Sequence, residues 1–215
     1  MKVRIILADD HPIMLEGLKA LLEREPDMEV VGLVMNGRDA VYLTNKLAPD
    51  IVIMDVSMPE LNGIEATRQI LAQHPNVKVI ALTIHSDARY AMEMLKAGAR
   101  GYIPKQCAYE ELSRAVRSVK MGQAYLSPGV TGNLLESLTG QGGHGKSSAF
   151  SSLTPREREI LQLLAEGNTS RAVAEKINIS IKTVDTHKVN IMRKLGLKSL
   201  AELVRYAIRE GISTA

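Results

Sequence analysis

Over the first 122 residues, short runs that are apolar throughout alternate with longer stretches in which apolar residues recur at helical spacing. The runs are Val3–Ala8, Val30–Val34, Ile51–Met54, Val77–Leu82 and Gly101–Ile103. Between them, Met14–Glu25 sets Leu15, Leu18, Leu21 and Leu22 on one stripe, and Gly63–Gln73 does the same with Ile64, Ile70 and Leu71. Strands without a polar face, interleaved with helices, predict a parallel sheet covered on both sides. Five such units predict a doubly wound α/β domain over 1–122, with any ligand site beyond the carboxyl ends of its strands.

The pattern changes after Tyr125. Residues 123–149 read as a linker, in which Ser127-Pro128 opens a helix over 128–138 that carries Val130, Leu134, Leu135 and Leu138. Thr139 to Ser148 has almost nothing to bury and predicts flexible chain. Residues 150–215 form the next domain, helical in pattern over 153–211. Thr154-Pro155-Arg156-Glu157 combines a threonine cap, a proline at the first helical position and a glutamate three residues after the cap. Gly167 ends that helix. Thr169 caps a second, Ser180 a third reaching about Leu195, and a fourth runs from about Ser199 to Arg209. Four short helices with a tight Asn178-Ile179 connection predict a small all-α helix-turn-helix domain.

Composition narrows the class. The chain has 215 residues with 45% hydrophobic and 24% charged, an ordinary soluble composition with room for one large domain or two small ones. Cys107 is the one cysteine, which excludes a disulfide scaffold and predicts a reducing, cytoplasmic setting. No apolar run approaches a membrane span, and the amino terminus lacks a signal-peptide layout. The net charge of +3 is uneven. Residues 1–125 carry 15 Lys and Arg against 16 Asp and Glu, whereas 151–215 carry 11 against 7. A basic tail is compatible with a polyanionic partner, although the excess is modest.

Candidate chemistry gathers at the strand ends. Asp9 and Asp10 follow the first strand directly and Asp55 follows the third. Neighbouring parallel strands end side by side, so the three carboxylates converge at one sheet edge. Clustered carboxylates repel one another unless a cation joins them, and hard oxygen ligands with room for water suit Mg²⁺. Thr83 and Lys105 end the fourth and fifth strands and add a hydroxyl and a positive charge. The set suits phosphoryl transfer to a carboxylate. An aspartate after a strand is also a common turn residue, but five polar positions at successive strand ends are not explained that way.

Asp9-Asp10, Asp55 with Met58-Pro59 and Asn62-Gly63, Ala81-Leu82-Thr83, and Gly101-Tyr102 with Lys105 closely resemble the receiver domain of response regulators, in order and spacing. The resemblance implies a five-stranded flavodoxin-like fold in which Asp55 accepts phosphate from a sensor histidine kinase. It implies that Asp10, Asp55 and the backbone carbonyl of Ser57 hold Mg²⁺, with Asp9 assisting through water and Lys105 contacting the phosphoryl oxygens. Thr83 then bonds the phosphoryl group, and its movement lets Tyr102 turn inward and reshape the face of the fourth helix. Pro104 precedes the lysine, where many receivers have proline after it, often with a cis bond, so the resemblance carries no cis-proline prediction here. His11 resembles a common companion of the acidic pair and reads as structural. Ser57 and His85 neighbour the phosphoacceptor and bear on phosphoryl lifetime.

In the tail, Leu153 through Leu161 and Gly167, Val173-Ala174 with Ile177, Ser180, Thr183-Val184, His187 and Lys194-Leu195 resemble the LuxR-type helix-turn-helix. With the receiver this identifies the chain as similar to the NarL/FixJ class. In the third helix Val184, Ile191 and Leu195 share an inward stripe. Lys182, Asp185, Thr186, Val189 and Arg193 share an outward one. Such a face suits the major groove, with basic groups for phosphates and short side chains for base edges. Thr183, Lys188, Asn190 and Lys194 complete the expected DNA contacts, on a motif spanning about Ser170 to Val189. Asp185 stands where several relatives carry lysine. Ala172 replaces the usual glutamate, leaving Thr169 without a reciprocal capping partner. Val189 is placed to meet a thymine methyl.

The expected function is a phosphorylation-dependent transcriptional regulator that binds DNA as a homodimer, with RNA polymerase as a further partner. Enzymatic activity is confined to self-phosphorylation from small donors and slow autodephosphorylation. A phosphate sink is the rival, and it has no use for the basic tail. A DNA-binding module driven by a protein partner is another, and it has no need of the intact acidic site. Gly140 to Ser147 matches the G-x-x-x-x-G-K-[ST] phosphate loop, but that loop needs a strand before it and a helix after it. The five histidines and one cysteine form no zinc spacing, and the ten methionines read as core filler.

Overall fold

The computed structural model describes residues 2–84, 88–138 and 152–213. These residues fall into two compact units, the first holding 2–58 with 63–138 and the second 152–213 together with the short segment 59–62. His85, the Gly-rich stretch 139–148 and the phosphate-loop pattern lie outside the described residues.

The first unit is built on strands β1 (Val3–Ala8), β2 (Met28–Val34), β3 (Ile51–Asp55), β4 (Lys78–Thr83), β5 (Gly101–Pro104) and β6 (Tyr125–Leu126). All pair in parallel, in the order β2-β1-β3-β4-β5-β6. Helices α1 (Pro12–Leu22), α2 (Gly37–Leu47), α3 (Gly63–Gln73), α4 (Ala88–Lys96) and α5 (Ala108–Lys120) make the crossovers. Alternation along the strands divides the core. Ile5, Leu7, Ile53, Ile80, Leu82 and Ile103 pack with Leu15, Leu18 and Leu22 of α1 and Leu112, Val116 and Val119 of α5. The intervening residues, including Ile6, Val52, Met54, Ala81 and Tyr102, turn to the opposite face and are equally closed to solvent.

The sheet has a sixth strand where the sequence predicts five. Tyr125 and Leu126 pair with Gly101 and Tyr102, and α5 is the crossover that brings them there. Two residues are too few to give a periodicity signal, so the strand is invisible in the sequence. The expected helix at 128–138 forms as α6 (Pro128–Leu138), but it belongs to the first unit: it lies against α4 and β5, burying Val130 and Leu134. Glu111 of α5 holds the start of this extension. Its carboxylate accepts hydrogen bonds from the Tyr125 hydroxyl and the Ser127 hydroxyl, both at 3.1 Å.

The second unit contains α7 (Pro155–Ala165), α8 (Ser170–Lys176), α9 (Ile181–Leu195) and α10 (Leu200–Arg209), close to the expected bounds. The caps expected at Thr154, Thr169 and Ser180 form, and Ser199 supplies a fourth. Thr154 forms a full capping box with Glu157, while Thr169, Ser180 and Ser199 each accept a bond from the N–H three residues on. Thr169 has no return bond, as Ala172 dictates. Asn178 makes the turn between α8 and α9 at φ 53, a left-handed conformation that asparagine adopts more readily than most residues. Val173, Val184, Ile191, Leu203 and Ala207 form the closed core beneath the outward face of α9.

Candidate functional site: an acidic cluster and a recognition helix

The carboxyl end of the parallel sheet gathers the acidic residues because β1 and β3 are neighbours. Asp9 is buried beyond the end of β1, and Asp55 is the buried last residue of β3. Asp9, Asp10, His11 and Asp55 each offer a ligand atom, all within 4.8 Å of one another. Lys105, just past β5, places Nζ 2.7 Å from Asp9 Oδ2 and 2.8 Å from Asp55 Oδ2. The lysine therefore bridges the two buried carboxylates. Ser57 N–H donates to Asp55 Oδ1 at 3.3 Å.

Burial dominates the electrostatics of Asp55. Desolvation pushes its carboxyl up to about 6 and Asp9 adds repulsion, against the opposing pull of Lys105 and of the Ser57 N–H. Burial also pushes the Lys105 ammonium down, but its contacts with Asp55 and Asp9 outweigh this and hold it above its ordinary value. The donor set fits a hard divalent cation. Asp9 Oδ2 and Asp10 Oδ1 are shut from solvent without a well-directed hydrogen bond, although Lys105 and His11 lie close in charge. Desolvated carboxylate oxygens with an unused lone pair, facing one another across a few ångströms, are the groups a small cation satisfies. His11 joins this cluster more closely than its lone position in sequence suggested: Nδ1 is 2.7 Å from Asp10 Oδ1 and 3.2 Å from Asp9 Oδ1.

Thr83 ends β4 fully buried, in register with Pro104 of β5. Tyr102 differs from the expectation of a ring that turns inward only on activation. It is already inward, 1% exposed. The reason is local. Its side chain lies on the face of the sheet opposite α1 and α5, and α4 and α6 both pack against β5.

In the second unit, Lys182, Asp185, Thr186, Val189 and Arg193 are exposed along α9, and Lys188 and Asn190 are half-buried. Ile181, Lys182, Asp185, Thr186, Val189 and Asn190 line one shallow groove. Thr186 turns its hydroxyl back to the Lys182 carbonyl at 2.8 Å, which leaves its methyl outward. Thr183 and Lys194 stand apart from the other residues of this set. Thr183 is 2.8 Å from Ser180 within the helix cap. Lys194 donates to Glu157 Oε2 at 2.6 Å, tying α9 to the capping box of α7.

Lys194 is therefore expected to support the fold. Burial raises the Glu157 carboxyl, but Lys194 and the Thr154 N–H outweigh it and hold it below its ordinary value near 4.5. A depressed carboxyl contributes stability above its unfolded pKa and loses it as the pH falls through the folded value. Lys194→Ala should cost the C-terminal domain about 1 kcal/mol at pH 7 in urea unfolding, with the difference from the parent shrinking below pH 4.5. Equal unfolding midpoints at pH 7 would assign the lysine no structural part.

Comparison with known proteins agrees with both halves of this geometry. The response regulator receiver domain family matches residues 5–117. The family of bacterial regulatory proteins named luxR matches residues 151–207. The oxygen regulatory protein NreC of Staphylococcus carnosus is 40% identical over 212 residues, covering 97% of this chain and 98% of its own. The transcriptional regulatory protein DegU of Brevibacillus brevis is 38% identical, with 98% and 94% covered. A solved structure of RcsB from Salmonella enterica serovar Typhimurium, bound to promoter rprA with the phosphomimetic BeF3−, aligns at a TM-score of 0.64. It is 31% identical, with 96% of this chain and 98% of that one covered. A lysine-bridged acidic cluster at the end of a parallel sheet, followed by a capped helix-turn-helix unit, thus places the chain among the two-component response regulators of the NarL/FixJ class.

Proposed function

We propose that Asp55 is the phosphoacceptor of this regulator and that its phosphorylation controls DNA binding through α9. The observation that carries the reading is Lys105, whose ammonium bridges buried Asp9 and Asp55 where a phosphoryl group joined to Asp55 needs a counter-charge. A carboxylate oxygen of Asp55 attacks the phosphorus of a phosphohistidine on a sensor kinase. The P–N bond breaks, its electron pair leaves with the imidazole, and an acyl phosphate remains. Asp10, Asp55 and the Ser57 carbonyl would hold Mg²⁺, with Asp9 acting through water, and the bound ion supplies positive charge against the crowded oxygens. The modification adds roughly −1.5 to −2 of charge at the sheet edge. Thr83 donates to a phosphoryl oxygen, and Tyr102 holds the inward position on which α4 and α6 rest.

Lys182, Lys188 and Arg193 neutralise phosphates, while Asp185, Thr186, Val189 and Asn190 face base edges, with Thr183 and Lys194 supporting the helix. Binding as a homodimer sets two such helices on successive major grooves, where the second contact gains from the effective concentration that the first provides. A cytoplasmic setting, recruitment of RNA polymerase and slow self-dephosphorylation follow from the same reading. Among the described residues, no helix is long and apolar enough to cross a membrane.

The test is incubation with acetyl phosphate and Mg²⁺, followed by intact mass and DNA affinity at fixed salt. One phosphoryl adduct, absent in Asp55→Ala, should accompany tighter binding to a selected site by roughly tenfold or more, as a gain of paired binding implies. An adduct with unchanged DNA affinity overturns the gating and favours a DNA-binding module driven by another protein.

A further inference from the structure

Asp185 is anomalous on a surface meant for DNA, since a carboxylate repels phosphates and neutralises none. The structure shows how it is held. Ser170, the first residue of α8, donates its hydroxyl to Asp185 Oδ1 at 2.8 Å. One carboxylate oxygen is thereby fixed across the helix-turn-helix. The other has no hydrogen-bond partner among the described residues, and Asp185 lines one groove with Lys182, Thr186, Val189 and Asn190. The hydroxyl narrows the rotamers open to this short side chain before any ligand arrives.

We propose that Asp185 is a base-reading residue that selects cytosine in the major groove, and that Ser170 is its positioning residue. The inference rests on the DNA-binding role of α9 and adds its chemistry of choice. A carboxylate only accepts hydrogen bonds. Guanine presents N7 and O6 acceptors and thymine presents O4, so both repel it. Cytosine and adenine each offer an exocyclic amine, but adenine sets its N7 acceptor beside that amine. Cytosine presents a C–H there instead, so a single directed oxygen favours cytosine. Lys182, one turn earlier on the same groove, offsets part of the negative charge against the DNA. Thr186 spends its one hydroxyl hydrogen on the Lys182 carbonyl and carries no charge, so it is the weaker acceptor of the two.

The experiment is selection from a randomised DNA library by the full-length chain, treated with acetyl phosphate and Mg²⁺ at fixed salt, with sequencing of the bound pool. The wild type should favour cytosine over other bases at one half-site position by roughly tenfold. Asp185→Ala should flatten that position alone. Asp185→Asn should shift it toward adenine, because an amide accepts from N6 and donates to N7. Ser170→Ala should weaken the cytosine preference, and Ser170→Thr, which keeps the hydroxyl, should restore it. A purely structural Ser170–Asp185 bond predicts weaker binding at every position and no change of base, and that result overturns the proposal. So does an enriched site in which no cytosine position responds to Asp185→Ala, which leaves the DNA-binding function standing. A wild-type pool with no enriched site overturns both.

Discussion

Asp55→Asn is expected to make the metal-free protein more stable at pH 7, by on the order of 2 kcal/mol. Asp55 is buried at 3% exposure, and its carboxyl is pushed up to about 6 by burial against an ordinary value of 3.8. The folded protein therefore binds a proton more tightly there than the unfolded chain does. Between pH 4 and 6 the native state carries more protons, so stability falls as the pH rises through that window. Above about 6 the penalty is complete, and below about 4 it is absent. Asparagine keeps the shape and an acceptor for Lys105 without the charge. Unfolding in EDTA should show the gain at pH 7 and most of it gone by pH 4.5. Equal gains at the two pH values would mean that charge is not the cause.

The same carboxylate gives the sign of the metal effect. A cation held by Asp10 and Asp55 replaces repulsion with coordination, so Mg²⁺ should raise the unfolding midpoint of the parent. Asp55→Asn, with one charged ligand fewer and no penalty to relieve, should gain less. The acidic cluster is thus a place where the fold tolerates instability: three carboxylates and one lysine are packed where an apolar cluster would hold the sheet edge more firmly.

Much of this arrangement is legible in the chain. Strands buried on both faces have no polar alternation, and that lack identifies β1, β3 and β4 without any tertiary information. Asp9, Asp10, Asp55, Thr83 and Lys105 are found by one rule, that parallel strands finish at the same edge. The helix starts of the second unit are equally plain because Thr154, Thr169, Ser180 and Ser199 satisfy local donors with local side chains. What the sequence hides is what depends on distant partners. β6 is two residues long and exists only because β5 offers an edge. The burial of Tyr102 depends on helices α4 and α6, which pack against β5. The Glu111 hold on Tyr125 and Ser127, the Lys194–Glu157 pair and the Ser170–Asp185 bond join residues 14 to 37 positions apart with no periodic signature.

Gly63→Ala is expected to damage the fold and the proposed phosphoacceptor site together, at a cost of about 3 kcal/mol. The helical opening of α3 needs no glycine for its backbone angles, since Gly63 is not among the positive-φ residues. Its need is for space. A Cβ at Gly63 meets the Asp55 carbonyl oxygen at 2.0 Å, the Asp55 carbonyl carbon at 2.9 Å and Met54 Cγ at 3.0 Å. The first two are backbone atoms of Asp55, the proposed phosphoacceptor, so no side-chain rotation relieves the clash. Either α3 moves outward, breaking the bond from Gly63 N–H to the Val56 carbonyl at 3.0 Å, or the end of β3 moves and takes the Asp55 carboxylate away from Lys105. Phosphoryl transfer depends on placement to within a fraction of an ångström, so the second outcome should lower adduct formation by about a hundredfold even in folded protein. Circular dichroism to establish folding, urea unfolding and mass after acetyl phosphate treatment separate the two. A folded variant with parental stability and full adduct would show that the β3–α3 junction has slack that these contacts deny. A folded, destabilised variant without adduct would tie the glycine to the position of one carboxylate, and so explain in steric terms a residue that the sequence presents only as part of a motif.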